Sequence, residues 1–204
     1  DGVVRHEGPV TAGALSTGAD LLVRSWREAR DPDEKSSSKL IETMQDALEN
    51  AASARHAAAD LFSLVQGMFE GKSNTERSIR LTPMVRDEAA WGSFELANDN
   101  LAAQLIRLDR SIKWVSTHIE SLPGVDEQSP VADERSDVLL ELQAAQRELA
   151  EQRFNLHEIV LDPSDQGIYW IEKGFNYRTS LHAAPLHVGE LLQERLFERQ
   201  SATI

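Results

Sequence analysis

Between Arg86 and Leu122 the apolar positions fall into two interleaved series, each repeating every seven residues. One runs through Phe94, Leu101, Leu108, Val115 and Leu122, the other through Trp91, Asn98, Leu105, Ile112 and Ile119. Alternating steps of three and four place both series on one side of an α-helix, as an a/d seam that buries itself against partner helices. At a rise of 1.5 Å per residue such a helix would be roughly 55 Å long. Asn98 is the one polar member, and a lone Asn at a seam position sets register at some cost in stability.

Two further stripes have the same period. The first contains Ile41, Met44, Leu48, Ala51, Ala58, Phe62, Val65 and Phe69; the second contains Val138, Leu142, Ala145, Leu149, Leu156 and Ile159. Each predicts an amphipathic helix with one buried face. Lys72 to Pro83 and Pro123 to Pro130 collect Gly, Pro, Ser and Asn, which interrupt the period and predict turns between antiparallel neighbours. A shorter helix is expected around Ala12 to Ala29, closed by Asp31-Pro32. The pattern thus predicts a mainly α chain, an elongated antiparallel bundle of three long helices with a fourth partner.

After Asp162-Pro163 the period changes. Ile168-Tyr169-Trp170-Ile171 and Phe175 to Ala183 are rich in aromatic and branched residues on either side of Glu172-Lys173-Gly174, and predict a β-hairpin or two neighbouring strands. Val188 to Phe197 returns to helical spacing, and Gln200 to Ile204 reads as the start of another strand. A helical excursion followed by a β-α-β beginning is the pattern expected of an insertion into an α/β domain. The expected division is an N-terminal stub over 1–12, a helical domain over 13–161 and a small C-terminal α/β piece over 162–204.

Hydrophobic content of 41% and charged content of 27% suit a chain with a packed core rather than a disordered one. The formal charge of −13 should repel a phosphate backbone at long range, yet salt screens charges beyond about 10 Å, so a local basic groove stays compatible with it. The absence of Cys removes disulfides, thiolate catalysis and cysteine-bound metal from the segment and fits a reducing compartment, so the cytoplasm is the expected location. No apolar run approaches the ~20 residues that span a bilayer. The beginning at Asp1 and the end at Ala202-Thr203-Ile204 raise the expectation of a segment from a longer polypeptide.

Phosphoryl transfer needs a Gly-rich phosphate loop ending in Lys. Gly71-Lys72-Ser73 has the last letters of that motif without the earlier Gly or the preceding strand, so the segment itself should neither bind nor hydrolyse ATP. None of the six His has Glu three residues before it, as a helical di-iron site would require, and His157-Glu158 lacks the second His of a zincin because position 161 is Leu. No Gly-x-Ser-x-Gly elbow is present. Catalytic, cofactor-binding and metal-binding residues are therefore not assigned.

Ile168-Tyr169-Trp170-Ile171-Glu172, then Leu181-His182-Ala183-Ala184-Pro185-Leu186-His187-Val188, then Leu191-Leu192 and Leu196-Phe197, occur in an order that resembles the DinG/XPD type of ATP-dependent DNA helicase. In that family a short strand with Trp, a strand ending in Ala-Pro-Leu and a helix ending in Leu-Phe lead from a helical insertion, the arch, back into the first RecA-like motor domain. Arg80-Leu81-Thr82 followed by Trp91 is also similar to the arch. The resemblance implies a parent enzyme that uses ATP and magnesium to translocate 5′ to 3′ on single-stranded DNA, which the arch helps to enclose. The family's Walker B motif, and the cysteines of any iron–sulfur cluster, would lie before Asp1. The partners implied are single-stranded DNA and the remainder of the helicase polypeptide. A coiled-coil-like helical scaffold or interaction protein is the alternative.

Candidate DNA contacts are Lys72, Arg77, Arg80 and Arg86, a basic cluster set on or beside the turn between two helices. Lys113 and Trp114 form a second candidate, since an aromatic ring flanked by cations can stack a single-stranded base. Widened hydrophobic contact is the structural reading of Trp114.

Overall fold

The computed structural model describes residues 2–5, 17–18, 20–21, 34–70, 77–121, 130–174 and 178–186 of the 204-residue chain. Three long helices dominate: α1 (Glu34–Gly67), α3 (Ala89–Glu120) and α4 (Pro130–Val160), with a single-turn α2 (Pro83–Arg86) before α3. The strands are β1 (Gly2–Arg5), β2 (Ser78–Arg80), β3 (Gly167–Lys173) and β4 (Thr179–Pro185).

α3 is the centre of the bundle because its seam is the most regular. Trp91, Phe94, Asn98, Leu101, Leu105, Leu108, Ile112, Val115 and Ile119 are all buried. α1 packs on one side of it and α4 on the other, both antiparallel to it. Asn50 of α1 donates to the Ser111 hydroxyl of α3 at 2.9 Å, which fixes the relative height of that pair. The α3 helix begins at Ala89, later than the seam alone suggests, because Glu88 is extended (φ −68°, ψ 141°) and turns the chain between α2 and α3. Thirty-two residues make α3 roughly 48 Å long. Leu122, the last member of the expected seam, lies outside the described residues.

The α1 stripe differs in detail from the expected one. Met44, Ala47, Ala54, Ala57, Leu61, Phe62, Val65 and Phe69 are buried, while Ile41 and Leu48 are 46% and 40% exposed. The buried face of its first half is centred on Met44, Ala47, Ala54 and Ala57, which leaves the larger Ile41 and Leu48 on the flank. On α4 the expected Val138, Leu142, Ala145, Leu149, Leu156 and Ile159 are all buried. Of the helix expected over Ala12 to Ala29, residues 17–18 and 20–21 are described and are helical. Leu21 is fully buried there, and a Cβ on Gly18 would lie 3.1 Å from Val115 and 3.5 Å from Val138, so the Gly18 backbone lies close to side chains of both α3 and α4.

The hairpin expected after Asp162-Pro163 is present as β3 and β4, paired antiparallel from Gly167↔Pro185 to Lys173↔Thr179. The sheet is larger than the C-terminal segment, however. Its order is β1-β4-β3-β2 with every neighbour antiparallel, so residues of the expected stub and of the expected Lys72–Pro83 turn complete it. One face, with Ile79, Tyr169, Ile171, Leu181 and Ala183, is buried in the same apolar cluster as the helices. The expected helix over 188–197 and strand over 200–204 lie outside the described residues. Among the described residues, no helix is long and apolar enough to cross a membrane.

Candidate nucleic-acid interface

Where helices meet sheet, one polar network holds the junction. The Arg86 guanidinium, at the end of α2, donates to the Val160 carbonyl at the end of α4 (3.2 Å) and lies over the rings of Trp91 (4.8 Å) and Tyr169 (5.7 Å). A cation at a helix C-terminus also meets the negative end of the helix dipole. The Tyr169 hydroxyl donates to Glu158 (2.8 Å) and accepts from the Ser164 backbone N–H (2.8 Å). Gly167 has to be glycine here, because a Cβ would overlap the Tyr169 phenol. Burial holds Arg86 below its ordinary pKa against the opposing effects of Tyr169 and Glu95, and burial together with the Glu158 hydrogen bond raises Tyr169. The network ties β3, α2 and the ends of α3 and α4 together.

The candidates read from the sequence do not form one site. Lys72 lies outside the described residues. Arg77 directly precedes β2, where its carbonyl accepts from the Lys173 N–H (2.8 Å), and its side chain is exposed. Arg80 is exposed on β2, in register with Trp170 of β3. Arg86, expected as a loop cation facing solvent, is instead the half-buried core of the junction, because two aromatic rings and a helix-end carbonyl surround it. Lys113 and Trp114 sit on α3 roughly 35 Å along the helix from Trp91. There Lys113 bonds Asp109 (2.9 Å) one turn earlier, while Trp114 is partly buried against the core and stacked on His118 at 3.8 Å. The structural reading of Trp114 therefore fits its position.

The face of the sheet turned away from the buried cluster carries a constellation that sequence reasoning missed. Trp170 and His182, direct partners across β3 and β4, stack with ring centroids 4.9 Å apart and 6° between planes. Ser180 Oγ and His182 Nε2 are in hydrogen-bond contact at 2.7 Å, and Glu172 approaches the same nitrogen at 3.5 Å. Trp170 and Glu172, like Ser180 and His182, are two residues apart, the strand period that puts side chains on one face. That alternation was the available signal.

Cations gather on this part of the fold. Arg77 and Arg80 belong to the β2 segment, Lys173 ends β3, and Arg178 precedes β4 opposite Gly174. Glu172 is the one carboxylate within the four strands. Among the described residues, no group of His, Asp and Glu suited to hold a metal ion is present. No protein-family model, curated protein or solved structure matches the chain.

Proposed function

We propose that this chain is a segment of a DinG-type ATP-dependent DNA helicase. In this reading α1, α3 and α4 form the arch, and the sheet is the seam by which the arch joins a RecA-like first motor domain. ATP and magnesium are bound elsewhere in the parent polypeptide, which moves 5′ to 3′ on single-stranded DNA in the cytoplasm. The observation that carries the reading is the pairing of β1 with β4 from Gly2↔Ala183 to Arg5↔Ser180. The chain leaves the sheet at β1, makes two helical excursions that meet the sheet at β2 between them, and returns through β3 to β4, the strand beside its origin, as an insertion in a host domain must. The order of residues from Ile168 through Phe197 adds the family resemblance.

The test is DNA-stimulated ATP hydrolysis and 5′-to-3′ strand separation by the parent polypeptide. A parent that turns over ATP with single-stranded DNA supports the proposal; one without DNA-dependent turnover sinks it. The second reading, a helical interaction scaffold, is favoured by Leu140 and Phe154, which lie two heptads apart on α4 and are 64% and 67% exposed. A stable complex formed through that stripe, by a parent without ATPase activity, would favour it instead.

A further inference from the structure

We infer that the outer face of the sheet is a binding site for a short run of single-stranded nucleic acid, with Trp170 as a base-stacking platform and Arg80 and Arg178 as phosphate contacts. The inference rests on the helicase reading only for the identity of the strand as DNA.

Chemistry singles out this face. A single strand offers π-faces and a line of negative charge, so a general site for it needs an aromatic ring held at fixed orientation and cations beside it. Trp170 meets the first requirement. Trp170 is partly exposed, and its ring is braced from one side by His182, whose side chain is only 13% exposed and is fixed by Ser180 and Glu172. A ring that is already ordered loses little entropy when a base stacks on it. The register Arg80–Trp170–His182 runs straight across β2, β3 and β4, so the guanidinium-bearing strand lies about 4.8 Å from the platform strand. Arg178 stands exposed where the hairpin turns back into β4.

Charge selects the occupant. The chain carries −13 overall, yet this face sets Arg80 and Arg178 against Glu172, which is drawn toward His182. Within a screening length of about 10 Å only such local charge decides contact, so a polyanion is attracted here and repelled by the acidic helices. Among the described residues, α4 packs on β1 and β4 and α1 on β4, while the buried residues of the strands alternate onto the opposite face.

The experiment uses the whole 204-residue chain and a fluorescein-labelled oligothymidine, with anisotropy titrations at several salt concentrations and inorganic polyphosphate as competitor. The folded chain should bind the oligonucleotide. Trp170→Leu, which keeps an apolar side chain but removes the π-face, should weaken that binding about 5- to 150-fold, as loss of one stacked base implies, and leave polyphosphate affinity unchanged. Trp170→Phe should retain most of the affinity. Arg80→Gln and Arg178→Gln should each flatten the salt dependence of oligothymidine binding by about 0.7 in slope and weaken polyphosphate binding as well. Circular dichroism and thermal unfolding matched to the parent chain confirm that each variant is folded. Absence of binding by the folded chain overturns the proposal, as do unchanged affinities in the variants or an equal loss of polyphosphate binding in Trp170→Leu. The two readings fail separately: oligothymidine binding here with no DNA-dependent ATPase in the parent sinks the helicase and keeps the site, whereas the reverse removes only the site.

Discussion

Tyr169 ionises above its ordinary 10.0 because burial disfavours the phenolate and because the neutral hydroxyl donates to Glu158. A group whose folded pKa is raised stabilises the fold fully below its unfolded value, and the contribution disappears as pH rises through the folded value. Replacing Tyr169 by Phe should therefore cost about 1 kcal/mol at neutral pH, from the lost hydrogen bonds to Glu158 and Ser164, but flatten the decline in stability above pH 10. Urea unfolding at pH 7 and pH 11 measures both; equal losses at the two pH values would remove Tyr169 ionisation from the account. Asn98 poses the opposite case. It is 2% exposed and its Oδ1 accepts no hydrogen bond, so the seam carries a buried polar atom that stabilises nothing. Asn98→Leu should raise stability by about 1–3 kcal/mol, read as an upward shift of Tm in calorimetry. A lower Tm would mean that the amide is satisfied in solution or that Leu overfills the seam. Asn98 was legible in the sequence as the one polar member of the seam, whereas the lack of a donor to its Oδ1 depends on what α1 and α4 place opposite it.

The long helices and the hairpin were legible because each carries enough repeats to reveal its period. All nine members of the α3 seam that are described are buried, and β3 and β4 supply seven residues apiece. β1 and β2 were not legible. Four and three residues are too few to show alternation, and their strand state comes from pairing with β4 and β3 rather than from local preference. Ile79 makes the point. It sits in register with Ile171, is 6% exposed and is the one buried residue of β2. Ile79→Ala should cost about 2–5 kcal/mol and release β2 from the sheet, so that amides of β3 facing β2, Lys173 among them, exchange faster than those facing β4. Uniform exchange across β3 in the variant would show that β2 is held by something other than its one apolar anchor. The candidate site followed the same rule. Arg77 and Arg80 were visible as a basic cluster, but Trp170 and His182 become a pair only through a register that no local window contains.

At the scale of the whole molecule, stiffness and charge are divided between two parts. The helices form a lever about 48 Å long, to judge from α3, and the sheet is the basic foot on which it stands. A rotation of a few degrees at the foot would move the far end by several ångströms, so any work transmitted between the two depends on how rigidly they are joined. Arg86 is the residue best placed to enforce that rigidity, since it bonds the end of α4 while lying over Trp91 of α3 and Tyr169 of β3. In the proposed parent helicase, Arg86→Gln should leave basal ATP hydrolysis within about twofold of the original, because the phosphate loop lies elsewhere in the polypeptide. DNA strand separation should fall by about tenfold or more, the mark of lost coupling rather than lost chemistry. Glutamine keeps a donor for the Val160 carbonyl but removes the planar cation from between the rings, so the isolated chain should stay folded and lose Tm modestly. Rates of ATP turnover and of strand separation, measured on the same preparation, distinguish the cases. A parallel fall in both, or no change in either, would show that the junction only stabilises the fold and carries no motion from the sheet to the helices.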